Sequence, residues 1–145
     1  MTNIAIGLVA LSLLISSDSA LAGDPGGHAG KGTGQQTPAT ISEIFAEVDK
    51  HLTALDRAVV KGDLHRIHEV AFETRDLLLT IPPKATSLSD KGKSDLQKSL
   101  KKIRQQAALL DKYGDAGNTR MTKVVLGKFK TEIQSIKKMM GTKQN

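Results

Sequence analysis

Four segments of this chain repeat apolar residues at intervals of three and four, and this spacing constrains the fold more than any other feature. Residues at these intervals lie on one face of an α-helix, so each segment predicts a helix with one apolar stripe. No segment alternates apolar and polar residues in steps of two, which is the pattern of a half-buried strand. The sequence therefore predicts an all-α protein whose stripes pack together in one core. The predicted core residues are Ile41, Ile44, Phe45, Val48, Leu52, Leu55, Val59, Leu64, Ile67, Ala71, Phe72, Leu78, Leu79, Leu96, Leu100, Ile103, Ala107, Leu110, Met121, Val125, Phe129, Ile133, Ile136 and Met140.

Residues that cap or break helices separate the four segments. Thr40 and Glu43 fit a capping box, in which each side chain accepts a hydrogen bond from the backbone N–H of the other residue. Asp63 and Asn118 are predicted to cap the second and fourth helices, and the third begins near Ser89. The predicted helix ends are Gly62, Thr80 before Pro82-Pro83, Tyr113-Gly114 and Gly141. Short turns between helices of similar length predict an antiparallel up-down-up-down four-helix bundle over residues 40–145.

The first 22 residues match a secretory signal peptide. Residues 4–15 are apolar or small, and Ala20-Leu21-Ala22 is the pattern that a signal peptidase recognises. An uncleaved membrane anchor is the alternative, because only the terminal amine supplies positive charge at the start, but about 12 apolar residues are too few for a bilayer span. Residues 23–39 contain six Gly and two Pro and predict a flexible tether. We therefore expect a periplasmic protein that is cleaved before Gly23.

Composition excludes several classes of site. The chain has no cysteine, so it has no disulfides, no thiolate metal ligands and no covalently attached c-type haem. With one Tyr, three Phe and no Trp, it has little material for base stacking, and we expect no nucleic-acid partner. No phosphate-binding glycine loop or carboxylate pair placed for acid–base chemistry is evident, so we expect a protein that is not an enzyme.

Charge is distributed unevenly along the chain. Residues 40–80 hold five Lys and Arg against eight Asp and Glu, whereas residues 81–145 hold fifteen against five. A basic second half can attract an anionic membrane surface or an acidic envelope protein. The alternative is a solvated surface whose lysines pair with the acidic half. The cations predicted for an interaction surface are Lys98, Lys101, Lys102, Lys128, Lys130, Lys137 and Lys138.

Four polar residues interrupt the apolar stripes. At about 100° per residue, His68, Arg75 and Glu132 fall within the apolar sectors of their helices, and His51 falls at the edge of its own. A buried polar side chain is costly unless it has a partner. Arg75 and Glu132 are therefore predicted to form a buried polar layer with His51 at a similar level. This layer is either an ion pair that sets the helix register or a pocket for an anion or metal.

The histidines of the second helix are candidate metal ligands. His65 and His68 are three residues apart, and Asp63 and Glu69 add carboxylates nearby. Neutral imidazole is a common ligand of Cu and Zn. We predict a site formed by His65, His68 and Glu69, with His51 as a further ligand. The alternative for His68 is a hydrogen-bonded histidine of the core.

The segment His68-Glu69-Val70-Ala71-Phe72-Glu73-Thr74-Arg75-Asp76-Leu77, continued by residues 78–83, resembles part of a group of small exported bacterial helical proteins. Residues 44–55 and 113–117 extend this similarity. Those proteins resemble companions of heavy-metal and copper resistance systems, so the resemblance implies an exported helical bundle in a metal context without assigning a ligand. The leading hypothesis is a periplasmic bundle that binds a metal ion or small ligand as an accessory to metal homeostasis. The alternative is an electrostatic module that docks its lysine-rich second hairpin on an anionic partner.

Overall fold

The fold is all-α, as predicted, in a computed structural model that describes residues 38–141. These residues form four α-helices and no strand. The helices are α1 (Ile41–Lys61), α2 (Ile67–Leu79), α3 (Asp90–Asp115) and α4 (Thr119–Met139). Short 3₁₀ turns, Leu64–Arg66 and Pro82–Lys84, lie on either side of α2. The predicted signal peptide and the tether up to residue 37 lie outside the described residues.

Side chains cap three of the helices at the residues that the sequence predicts. At the start of α1, Thr40 Oγ1 accepts from the Glu43 backbone N–H at 3.2 Å, and Glu43 Oε2 accepts from the Thr40 N–H at 3.0 Å. Ser89 caps α3, and Asn118 caps α4. These bonds satisfy N–H groups that have no partner inside the helix. The helix boundaries are therefore set largely by local chemistry.

The start of the second helix differs from the prediction. Asp63 makes no side-chain capping bond, Leu64–Arg66 form a 3₁₀ turn, and α2 begins only at Ile67. A 3₁₀ turn advances about 120° per residue, whereas an α-helix advances about 100°. Three residues of 3₁₀ geometry thus rotate the following helix by roughly 60° relative to an α-helix counted from Leu64. This rotation changes which side chains of α2 face inward.

The core is formed by the apolar stripes of all four helices. Twelve large side chains are fully buried: Ile44, Leu55, Ile67, Leu78, Ile81, Leu96, Leu100, Ile103, Leu110, Phe129, Ile133 and Ile136. Ile41, Phe72, Leu79, Met121 and Met140, which the sequence places in the core, are only partly buried. Helix α3 packs against α2 and α4, and α1 packs against the same two helices. Among residues 38–141, no helix is long and apolar enough to cross a membrane.

Candidate functional site

Two lysines of α4 bind aspartates of α1. Lys130 Nζ lies 2.6 and 2.8 Å from the carboxylate oxygens of Asp56, and Lys137 Nζ lies 2.5 and 2.7 Å from those of Asp49. The Lys137 side chain is only 11% exposed, and its ammonium lies 5.5 Å from the centre of the Phe45 ring. Lys130 and Lys137 therefore link the basic and acidic halves of the chain and are not available as the docking cations that the sequence predicts.

Two more of the predicted docking cations are engaged within the basic half. Lys98 Nζ lies 3.1 Å from Asp95 Oδ1, and Lys102 Nζ lies 3.2 Å from Glu132 Oε2. Asp95 also accepts from Lys91 at 2.6 Å, and the bonds from Lys91 and Lys98 lower the pKa of the Asp95 carboxyl. These contacts neutralise part of the lysine-rich surface.

Six exposed cations of α3 and α4 have neither an ion pair nor an aromatic-ring contact among residues 38–141, and we call them the unpaired cations. They are Lys101, Arg104, Arg120, Lys123, Lys128 and Lys138. The prediction from sequence includes Lys101, Lys128 and Lys138 but omits the other three. Those three have no acidic residue three or four positions away, a feature of the sequence that excludes an ion pair within the helix but not, as Lys130 and Lys137 show, a partner on another helix. The exposed Lys112 also has no ion pair, but its ammonium lies 5.9 Å from the centre of the Tyr113 ring. The second hairpin thus keeps a surplus of exposed positive charge.

His65 and His68 each place Nδ1 near a carboxylate oxygen, but only His68 makes a hydrogen bond with it among the described residues. His65 Nδ1 lies 2.8 Å from Asp63 Oδ1, and His68 Nδ1 lies 2.6 Å from Asp111 Oδ1 on α3. The predicted inward position of His68 is wrong, because its side chain is 51% exposed. The 3₁₀ turn before α2 explains this, since it rotates His68 away from the core. Glu69, also a predicted ligand, is exposed.

His51 belongs to α1, and its side chain lies between α1 and α2. Its Nδ1 is 3.3 Å from Thr74 Oγ1, and its Nε2 is 3.7 Å from Glu47 Oε1 and 3.8 Å from Glu73 Oε2. The fully buried Thr74 hydroxyl also donates to the Val70 carbonyl at 2.6 Å. His51 therefore meets α2 one residue from Arg75, close to the predicted level, but its contacts there are with Thr74 and Glu73.

Arg75 and Glu132 belong to separate ion pairs. Arg75 is half-buried, with its guanidinium carbon 4.2 Å from the centre of the Phe72 ring and with Nε and Nη2 donating to Asp76 at 2.7 and 3.0 Å. Glu132 is buried on α4, where Lys102 of α3 is its partner. The predicted single layer of Arg75 and Glu132 is therefore replaced by one local pair on α2 and one pair between α3 and α4.

The candidate ligands do not form one cluster. Within residues 38–141, no three His, Asp or Glu side chains come together in a group that could hold a metal ion. His65 lies near Asp63, His68 lies near Asp111, and His51 lies near Glu47 and Glu73, so the three histidines have different carboxylate neighbours. The unpaired cations instead give α3 and α4 exposed positive charge that forms no ion pair with the described residues.

Comparisons with other proteins leave the site to be interpreted from its own chemistry. No protein-family model, no curated protein and no solved structure matches this chain.

Proposed function

We propose that this protein is an exported, non-enzymatic interaction module whose α3–α4 hairpin binds an anionic membrane surface or an acidic protein in the periplasm. The observation that carries the proposal is the set of six unpaired cations. The acidic half supplies partners for Lys130 and Lys137 only, so it neutralises little of the charge on the second hairpin. Positive charge that a fold leaves unpaired can steer and hold an anionic partner.

The proposed architecture is the antiparallel up-down-up-down bundle. Asp49 and Asp56 of α1 bind Lys137 and Lys130 of α4, so residue numbers rise along one helix as they fall along the other. Both pairs are seven residues apart, which is two turns of a helix. Only residues 116–118 connect α3 to α4, and such a short turn favours antiparallel neighbours. This arrangement leaves the outer sides of α3 and α4 facing solvent.

The test compares two variants with the same net charge. The triple variant Lys101→Gln, Lys128→Gln, Lys138→Gln removes half of the unpaired cations. The control, Arg57→Gln, Lys61→Gln, Arg66→Gln, removes three exposed cations of the acidic half that belong to no ion pair of the described residues. Neither variant breaks an ion pair between helices, so both should fold normally.

Binding is measured to vesicles in which about a third of the lipids are anionic, and separately to polyglutamate. At about 1 kcal/mol per cation near an anionic surface, the Lys101, Lys128 and Lys138 variant should lose roughly a hundredfold in affinity. The control should lose much less, and added salt should weaken wild-type binding because it screens exposed charges. Equal losses in the two variants would show that net charge alone decides binding, and the α3–α4 surface would have no special role.

A metal-binding role is the second candidate, and one observation favours it. His68 Nδ1 is hydrogen-bonded to Asp111 Oδ1, which is the arrangement that commonly orients histidines bound to metals through Nε2, and His65 Nδ1 lies 2.8 Å from Asp63 Oδ1. Glu69, which follows His68 in the sequence, is a candidate oxygen ligand for Cu or Zn. His51 is a weaker candidate ligand, because its side chain contacts Glu47, Glu73 and Thr74.

Thermal unfolding of metal-stripped protein tests this second role. Cu(II) or Zn(II) at 100 times its dissociation constant should add about 2.7 kcal/mol to the free energy of unfolding if the ion ignores the unfolded chain. The double variant His65→Ala, His68→Ala should lose this stabilisation. The variant Glu69→Gln should lose part of it. A shift that persists in the double variant, or no shift at all, would rule out a site at these histidines.

A further inference from the structure

Three large hydrophobic side chains are exposed among residues 38–141, and all three belong to the helices α1, α3 and α4. Val60 is 83% exposed, Val124 is 46% exposed and Leu109 is 39% exposed. A single exposed aliphatic residue needs no explanation, but several at one place mark an interaction site. Whether these three lie together is decided by the register of the helices.

The ion pairs between helices fix that register. In the antiparallel bundle proposed above, Asp56 lies opposite Lys130, so Val60, four residues later, lies at the level of Leu126. Val60 also shares a helix face with Asp56, which is the side of α1 nearest α4. Lys102 lies opposite Glu132, so Leu109, two turns later on the same face of α3, lies at the level of Val125. Val60, Leu109 and Val124 therefore surround the solvent side of α4 at one level, and we call them the exposed apolar set.

Gly127 lies next to this set in the interior of α4. A glycine in the middle of a helix costs about 0.5 to 1 kcal/mol relative to alanine. A Cβ added at Gly127 would meet no atom within 4 Å, so packing inside the described residues does not require glycine there. Because Gly127 has no side chain, a binding partner can approach the α4 backbone closely from the solvent side.

The charges around the exposed apolar set indicate the sign of the charge on a binding partner. Lys123 precedes Val124 in the sequence. Lys128 lies one helical turn after Val124, on the same side of α4 as Val124. Both lysines are unpaired cations. The one carboxylate of α4, Glu132, is buried and bound to Lys102. A second copy of the chain docked through the same face would oppose cations to cations, and like charges at an interface are costly. The partner of this face must therefore be acidic.

A protein helix fits the face better than a lipid bilayer does. Segments that lie in a membrane interface use aromatic and large aliphatic residues, whereas Phe45 and Phe129 are buried in the core and Phe72 lies under Arg75 on α2. A helix face that is open to close backbone approach at Gly127 suits a rigid partner helix, while fluid acyl chains gain nothing from it. An apolar centre with a charged rim is also the usual anatomy of a protein interface.

We propose that the solvent face of α4, with Val60 and Leu109 on either side, is a docking surface for an acidic amphipathic helix of another protein. The partner helix places its apolar stripe on the exposed apolar set, crosses α4 at Gly127 and directs its carboxylates to Lys123 and Lys128. This assignment rests on the proposed function, because the same positive surface holds the partner, and it specifies the partner's chemistry.

The test uses a synthetic helical peptide with a leucine and alanine stripe flanked by glutamates, and a version in which lysines replace the glutamates. Binding to the full protein is measured by calorimetry, and the surface is mapped by amide chemical shifts. The test variants are Leu109→Gln, Val124→Gln and Gly127→Ala. Ala108→Gln is the matched control, because Ala108 is exposed beside Leu109 but points to a different side of α3.

The acidic peptide should bind and shift the amides near Val60, Leu109 and Val124, and the lysine version should not bind. Leu109→Gln and Val124→Gln should each weaken binding about tenfold, equivalent to about 1.4 kcal/mol, and Ala108→Gln should not. Gly127→Ala should weaken binding although the variant raises the melting temperature, which separates the interface from any folding defect.

Two results would overturn the assignment, and they differ from a failure of the proposed function. No binding of the acidic peptide, or binding unaffected by the Leu109, Val124 and Gly127 substitutions, would refute the docking surface while leaving charge-dependent binding to polyglutamate or vesicles intact. If these substitutions weakened binding to anionic vesicles and the peptide did not bind, the face would be a membrane contact. Loss of the charge-dependent binding itself would instead remove the proposed function.

Discussion

Replacing Lys137 tests whether this residue is part of the core or a surface cation. Its ammonium is bound to Asp49, its stem is almost completely buried, and the Asp49 carboxylate is 56% exposed. Lys137→Ala removes three methylene groups, and at about 0.8 kcal/mol for each buried methylene the loss of packing is about 2.4 kcal/mol. The ion pair with a half-exposed carboxylate adds about 0.2 to 1 kcal/mol.

We therefore expect Lys137→Ala to lower the free energy of unfolding by about 2.5 to 3.5 kcal/mol. Lys137→Met retains a long apolar side chain and should cost less than about 1 kcal/mol. Lys138→Ala is the matched control, because Lys138 is exposed and belongs to no ion pair of the described residues, and it should stay within about 0.5 kcal/mol of wild type.

Equilibrium unfolding in urea, followed by circular dichroism, measures these differences. A double-mutant cycle with Asp49→Asn and Lys137→Met isolates the pair, and its coupling energy should be about 0.2 to 1 kcal/mol. If Lys137→Ala were as mild as Lys138→Ala, Lys137 would be an ordinary surface lysine. If Lys137→Met cost as much as Lys137→Ala, the charge of Lys137 and not its packing would be the stabilising contribution, contrary to this prediction.

Three further substitutions follow from the structure. Gly114→Ala should destabilise by about 1 to 3 kcal/mol despite its better helix propensity, because the new Cβ would lie 3.0 Å from the Leu64 carbonyl oxygen; a rise in the urea midpoint would show that this contact relaxes. Thr40→Ala should cost about 1 kcal/mol by removing the α1 cap, and an unchanged midpoint would contradict the capping box. Backbone bonds from Thr40 and Ala39 lower the pKa of the Glu43 carboxyl, so its stabilising effect is present above the unfolded-state pKa and is lost as pH falls through the folded-state pKa. Glu43→Gln should therefore flatten the dependence of melting temperature on pH in that acid range, and an unchanged slope there would refute this role.

Helix boundaries and the core could be predicted from the sequence because both depend on nearby residues. Thr40, Ser89 and Asn118 cap helices through bonds to the backbone three residues later, which the sequence shows directly. The stripes of α1, α3 and α4 follow the α-helical period without interruption. The predicted inward position of His68 was wrong because the helical period changes before α2. The 3₁₀ turn at Leu64–Arg66 rotates His68 out of the core.

The pairing of the lysines could not be predicted, because their partners are distant in sequence. Lys137 and Asp49 are 88 residues apart, and Lys130 and Asp56 are 74 apart. In the sequence these two lysines have no acidic residue three or four positions away, and neither has Lys138, which stays unpaired. Only the packing of α1 against α4 separates structural cations from those that remain available to a partner.

The most direct test of the central claim is to locate where a polyanion binds. Amide chemical shifts of the protein titrated with polyglutamate would report this at each residue. We predict that the shifts concentrate around Lys101, Arg104, Arg120, Lys123, Lys128 and Lys138 and disappear at high salt. Shifts centred instead on Arg57, Lys61 and Arg66, or spread evenly over all exposed cations, would contradict it.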